Sequence, residues 1–429
     1  MKKTALCLAL LGLLALGGQA VAVICTIDAV PAATLLLPYF EVDLNNPNGL
    51  TTLFSVNNAS ATAVLAHVVV YSDLSVPVLD FNIYLTGYDV QTINLRDIIV
   101  NGNMPQTASA GQDPGDHISP KGAKSQDINF ASCTGQLPPP PLPPSFLQHL
   151  ALSLTGQPSP LFTAPNNCAG RALGDNIARG YITVDTVNNC TLRLPTDINY
   201  FIQDVTFQNV LWGDYFYVNS GQNFADGDTL VHVEASLTDP ATNTAGRYTF
   251  YGRYVAWNAG PQGIIDHREP LGTTYAGRYA NGGDFTGGTS FVVWRDSKTS
   301  QSAFPCSSKP SWFPLGQEGI AIFDETEQIS SPPTFPFSPQ PPNTGIIPFP
   351  AEAQRTKING PDFPVPFNFG WLYLDLNTTI SGNPNPPFDP TSAQAWVTVV
   401  MDANGRFSVG FSAIQLDSAC APNHFFPDP

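Results

Sequence analysis

Clustered positive charge is missing from this chain, and charge of any kind is sparse. Only 12% of the 429 residues are Asp, Glu, Lys or Arg, and 18 Lys and Arg face 34 Asp and Glu. Binding to nucleic acid or to an anionic membrane needs grouped cations against phosphate, so both partners are disfavoured. No apolar run is long enough for a spanning helix; the longest, Ala5 to Leu16, falls short of the roughly 20 residues required. The chain also lacks a CxxC pair, a GxSxG nucleophile elbow, an HExxH zinc helix, a phosphate-binding GxxxxGK[ST] loop and a GxGxxG dinucleotide loop. These absences weaken an enzymatic reading. Paired carboxylates for glycoside hydrolysis leave no such trace, because their separation is spatial.

What is present begins with an export signature. Lys2 and Lys3 precede the apolar run, and Ala20-Val21-Ala22 supplies a small-residue cleavage site, so residues 1–22 are expected to be a signal segment. Ile24 directly before Cys25 argues against lipid attachment. Loss of the two lysines makes the remainder more acidic still, which favours solubility. The expected location is secreted, extracellular or periplasmic, at a bacterial cell surface, with no membrane insertion. Loss of Cys7 leaves six cysteines: Cys25, Cys133, Cys168, Cys190, Cys306 and Cys420. An even number in an exported chain points to three disulfides. The local pair Cys168 to Cys190 is the expected bridge, and Cys25 with Cys420 would tie the ends.

With 41 Pro and 35 Gly there is little room for long helices. Short runs rich in Val, Ile, Thr and aromatics recur instead, the pattern of an all-β protein. From Leu50, "LTTLFSVNN", "AVLAHVVVYSD", "VLDFNIYL" and "YDVQTINL" follow one another with short polar connections and predict an Ig-like antiparallel β-sandwich. "GYITVDTV", "VLWGDYFYVN", "TLVHVEASL", "GRYTFYGRYVAW", "TSFVVWRD" and "GWLYLDL" add six candidate strands. "AQAWVTVVMDANGRFSVGFSAIQL" reads as a hairpin, with Asn404 and Gly405 suited to positive φ. The strands are mostly too short, and the proline-rich insertions too long, for an outer-membrane barrel. The proline-rich stretches 136–146 and 331–350 read as rigid connectors. One helix is expected after Ser145 as its cap, with Phe146, Leu147, Leu150 and Leu154 at helical spacing and Gly156 as its stop. The expected organisation is thus a β-sandwich unit over 23–100, a loop-rich insertion with a short helix over 101–180, and a β-rich unit over 181–429 packed on the first.

The densest ionic stretch is Asp266, His267, Arg268 and Glu269. A histidine between carboxylates suits acid–base work. Arg268 paired with a carboxylate, and Asp266 bonded to backbone amides before Pro270, would equally make a structural corner, and that is the expected role. His232 and Glu234 lie two apart on a predicted strand and share a face. With Asp226 and Asp228 they gather an imidazole and three carboxylates within nine residues, and calcium is the metal such oxygen ligands favour. The spacing fits no complete calcium loop. Asp324, Glu325 and Glu327 read as a solvated acidic turn, and His67 as a hydrogen-bonded strand histidine. The Arg and Tyr of "GRYTFYGRYVAW" suit either sugar stacking or cation–π packing.

The phrases "ATLLLPYFEVDL", "NVLWGDYFYV", "LVHVEAS" and "DHREPLGTTYAGRY" resemble those of uncharacterised secreted bacterial proteins. That resemblance implies export and a shared fold, and it assigns no site residue. The leading expectation is a noncatalytic surface or matrix protein acting in adhesion, assembly or scaffolding, partnered by a cell-surface protein, a polysaccharide or its own copies. The alternative is a secreted hydrolase or carbohydrate-binding protein whose polar cleft is formed by convergence of the 226–234 and 266–269 segments.

Overall fold

The computed structural model describes residues 29–107, 133, 136–239, 242, 250, 266–297, 299, 302–317, 319–330, 347–377 and 394–417. The signal segment, Cys25, Cys420, most of "GRYTFYGRYVAW" and residues 331–346 lie outside them. The fold is all-β, and among the described residues every strand pair is antiparallel and two disulfides staple the chain.

Four sheets carry the architecture. The first runs β11 (Val231–Val233), β1 (Thr34–Asp43), β7 (Ile177–Val187), β3 (Val64–Ser72), β4 (Pro77–Leu85). The second runs β10 (Phe224–Thr229), β9 (Asp214–Asn219), β2 (Thr51–Asn58), β5 (Val90–Asn94), with β8 (Leu211–Trp212) also on β2. Strands from both sides of the 101–180 stretch therefore share the same two sheets. The third is β16 (Ile329–Ser330), β15 (Gly319–Asp324), β18 (Phe369–Asp375), β12 (Thr274–Ala280), β21 (Ile414–Gln415). The fourth is β17 (Ala353–Lys357), β13 (Gly288–Arg295), β19 (Ala395–Asp402), β20 (Ser408–Ser412). A short pair, β6 (Asn167–Cys168) with β14 (Phe304–Pro305), stands apart.

Period-two alternation explains how the sheets share cores. Along β13, Val292 and Trp294 join the core of the first two sheets, while Phe291 and Val293 join that of the third and fourth. All eight residues of β13 are consequently buried. Trp294 meets Tyr181 of β7 edge-on at 6.0 Å, tying the fourth sheet to the first. β1 lies inside the sheet although it contains Pro38, which cannot donate to a ladder; its pairing with β11 ends at Leu36 and its register with β7 shifts between Leu37 and Phe40, so the proline falls at an irregularity.

The "DANG" hairpin forms as expected, with Asp402 opposite Ser408 and positive φ at Asn404 and Gly405. "YDVQTINL" is a strand only to Asn94, whose side chain accepts from the Arg96 amide and starts a short helix, α1 (Leu95–Ile99). The one expected helix is α2 (Pro144–Leu154), with Leu150 and Leu154 buried and Gly156 at φ 69° beyond its end. Its start differs from expectation. Pro144 rather than a capping Ser145 begins it, because proline's fixed φ suits the first helical position.

The Cys168–Cys190 pairing is corrected. Cys168 bonds Cys306, and Cys190 bonds Cys133. β7 lies between positions 168 and 190, and its 11 extended residues span about 36 Å, far beyond disulfide reach. Pairing of β6 with β14 instead sets Cys168 opposite Phe304, two residues from Cys306.

Candidate functional site

The two ionic segments lie side by side. Ala235 bridges Arg268, the Glu269 amide donates to the Glu234 carbonyl at 2.9 Å, and the Ser236 amide donates to the His267 carbonyl at 2.9 Å. Glu269 Oε1 accepts from the Glu234 amide at 2.9 Å. Convergence does not leave these groups open to solvent: Asp266, Arg268 and Glu269 are fully buried and Glu234 nearly so. Arg268 Nη2 lies 3.3 Å from Asp185 Oδ1, Nη1 donates to the Asp266 carbonyl at 2.9 Å, and Nε donates to Thr34 Oγ1. Asp185 in turn accepts from Thr34 at 2.5 Å and from the Tyr200 hydroxyl at 2.7 Å. The buried guanidinium is thus matched by a buried carboxylate and neutral acceptors, and the carboxylate by neutral donors, which is how an interior ion pair is tolerated.

His267 takes φ 50°, which breaks the alternation of an extended chain, and its ring meets Phe207 edge-on at 5.1 Å. His232 Nε2 accepts from the Gly213 amide at 3.2 Å. Burial lowers the pKa of both imidazoles, favouring their neutral forms. His67 is likewise buried, with Nδ1 at 3.2 Å from Asn82 Oδ1.

Asp226 and Asp228 face β20. Asp228 accepts from Ser412 at 2.7 Å, and Asp226 packs so closely on Gly410 that a β-carbon there would collide with its carboxylate. Desolvation pushes the Asp226 carboxyl up to about 6. Among the described residues no group of three or more His, Cys, Asp or Glu side chains is placed to hold a metal ion. No helix among them is long and apolar enough to cross a membrane.

A different site stands open on the third sheet. Register sets Arg278 of β12 opposite Trp371 of β18, and Trp371 opposite Phe323 of β15. Leu372 and Leu374 alternate inward, so Trp371 points out. Its ring stacks on Phe323 with centroids 4.2 Å apart and 6° between planes, yet the residue remains 38% exposed. The row borders a groove of about 520 Å³ that also receives Phe369, Phe285, Asp284 and Glu325. Gly282 and Gly283 keep its rim low beside Phe369.

The polar groups around the rings divide into fixed and free. Asp324 is saturated by Thr326 and by the Gln328 amide at 2.8 Å, so it holds the turn. Asp284 meets Arg406 at 3.2 Å but is mostly exposed. Arg278 and Glu325 have no hydrogen bond or ion pair among the described residues. A flat π face beside an unengaged guanidinium and carboxylate suits a ligand with one apolar face and a rim of hydroxyls.

Only part of this site shows in the sequence. Glu325 stands out as part of an acidic turn, but "GWLYLDL" reads simply as a strand. The available signal is phase: Trp371 is out of step with the three leucines that share its strand pattern. No family model matches the chain, and neither the curated proteins nor the solved structures yield a match.

Proposed function

We propose that the protein is an exported, noncatalytic adhesin that holds polysaccharide through the Trp371 groove. One observation carries this reading: an exposed tryptophan face, held rigid by stacking on Phe323, shares a groove with Arg278 and Glu325, two polar groups with no hydrogen bond or ion pair among the described residues. The C–H-rich face of a pyranose is attracted to an aromatic face, and hydroxyls accept from a guanidinium and donate to a carboxylate. A ring held in place before binding loses little freedom on binding. The disulfides support an oxidising compartment, where polysaccharide surfaces are found.

The test is isothermal titration against soluble neutral glycans: β-glucan, xylan and chitin oligosaccharides. At least one should bind, and Trp371→Ala should lose tenfold or more in affinity, about 1.4 kcal/mol, with unchanged circular dichroism and melting temperature. Wild-type protein that binds none of them, or a variant that binds as well as wild type, overturns the reading.

A further inference from the structure

A second cavity gathers cations in a chain that has few. Arg171, Arg179, Arg355 and Lys357, four of the 18 Lys and Arg, line one space of about 780 Å³ beside β1, β7 and β17. It shares no lining residue with the Trp371 groove. Asp362 also lines it, as does Glu41, which lies opposite Arg179 in the ladder. The single Glu41 carboxylate is shared by Arg179 at 3.6 Å, Arg355 at 3.4 Å and the Tyr39 hydroxyl at 3.1 Å. Arg179 is held further by two bonds to Asp175, at 2.8 and 2.5 Å, and Arg171 by Asp73 at 2.6 Å.

These pairings orient the guanidiniums without exhausting them. Each guanidinium has five N–H donors, and among the described residues Arg171 commits only its Nε to a carboxylate while Arg355 commits only Nη1. Lys357 is exposed and has no ion pair among the described residues. The three arginine side chains are 14–20% exposed, so their charges act where water screens them less. Leu173 and Pro350 add apolar wall. The volume lies within the range of about 300–1,000 Å³ typical of small-molecule sites.

We infer that this cavity is a second sugar subsite, one that takes a carboxylated residue, a hexuronate, with its carboxylate among Arg171, Arg355 and Lys357 and its ring against the apolar wall. That the anion is borne by a sugar rests on the glycan-binding reading above; that the cavity takes an anion rests on its own residues.

The experiment is titration of the full-length, oxidised protein with trigalacturonate, with a neutral trisaccharide and with inorganic phosphate, in wild type, Lys357→Met and Trp371→Ala. Lys357→Met breaks no ion pair among the described residues. Trigalacturonate should bind, weaken as salt rises, lose about tenfold in affinity in Lys357→Met and persist in Trp371→Ala. Neutral sugar binding lost only in Trp371→Ala would place the two ligands apart, and failure of the neutral arm alone would sink the groove but not this cavity. Absence of trigalacturonate binding, an unchanged Lys357→Met affinity, loss of uronate binding in Trp371→Ala, or phosphate bound as tightly as trigalacturonate would each overturn the inference.

Discussion

Asp226 and Gly410 meet where the edge of the second sheet lies against the edge of the fourth, and the glycine has no β-carbon because the aspartate carboxylate occupies that space. Ser408 donates to the Ala225 carbonyl and Ser412 donates to Asp228 on either side of this contact. The seam protects two strand edges that would otherwise offer unpaired backbone to other chains.

Burial at that seam makes stability depend on acid. The Asp226 carboxyl, ordinarily near 3.8, is raised to about 6 by desolvation, and Asp80 is raised to about 6 by the same cause. Between those values the folded state keeps protons that the unfolded chain has released, so stability should fall as pH rises from about 4 to 6. Asp226→Asn should gain on the order of 2 kcal/mol at pH 7 and almost nothing at pH 4. Urea unfolding at both values checks this, and a variant less stable than wild type at pH 7 would refute it.

Arg268 and Asp185 should behave as a unit. Arg268→Met leaves a buried carboxylate without its cation and should cost about 3–5 kcal/mol. Adding Asp185→Asn should recover part of that loss, so the two effects are not additive. A single-variant cost below about 1 kcal/mol, measured by denaturant unfolding, would show that this pair does not lock the first sheet to the 266–269 segment.

Peptide mapping without reduction should recover the linked pairs Cys133–Cys190 and Cys168–Cys306. The sequence separations are 57 and 138 residues. Loss of the longer loop should cost slightly more, about 5 against about 4 kcal/mol on loop-closure entropy. Serine pairs compared by thermal melting test the order. A Cys168–Cys190 peptide would contradict the fold at β7.

Gly370 supports the groove from behind. A β-carbon there would run into the Phe323 carbonyl, the partner strand's backbone. Gly370→Ala should therefore push β18 from β15, unstack Trp371 from Phe323 and lower stability together with the glycan binding proposed for the groove. Tryptophan fluorescence and titration should move together; unchanged binding would remove Gly370 from the support of the site.

Local chemistry carried much of the fold. β2, β3, β4, β7, β13 and β19 fall where runs of β-branched and aromatic residues predict them, and Asn404-Gly405 turns the last large hairpin. β1 is harder to see because Pro38 sits inside it, and a proline is tolerable there because the β11 pairing ends at Leu36 and the register with β7 shifts. The ionic residues of 231–236 and 266–269 are visible as types, and their convergence only as one of two readings, since nothing in either stretch states that the Glu269 amide donates to the Glu234 carbonyl while Glu269 Oε1 accepts from the Glu234 amide.

The all-β class, the scarcity of cations and the inventory of cysteines follow from residue order, because composition and period-two patterning act within a few residues. Tertiary structure alone decided which cysteines met, which ionic groups were sealed in and which aromatic ring was left outside. Those outcomes depend on strand order and register, where one residue's shift reverses every side chain, and Trp371 faces outward only because its leucine neighbours were drawn to the core.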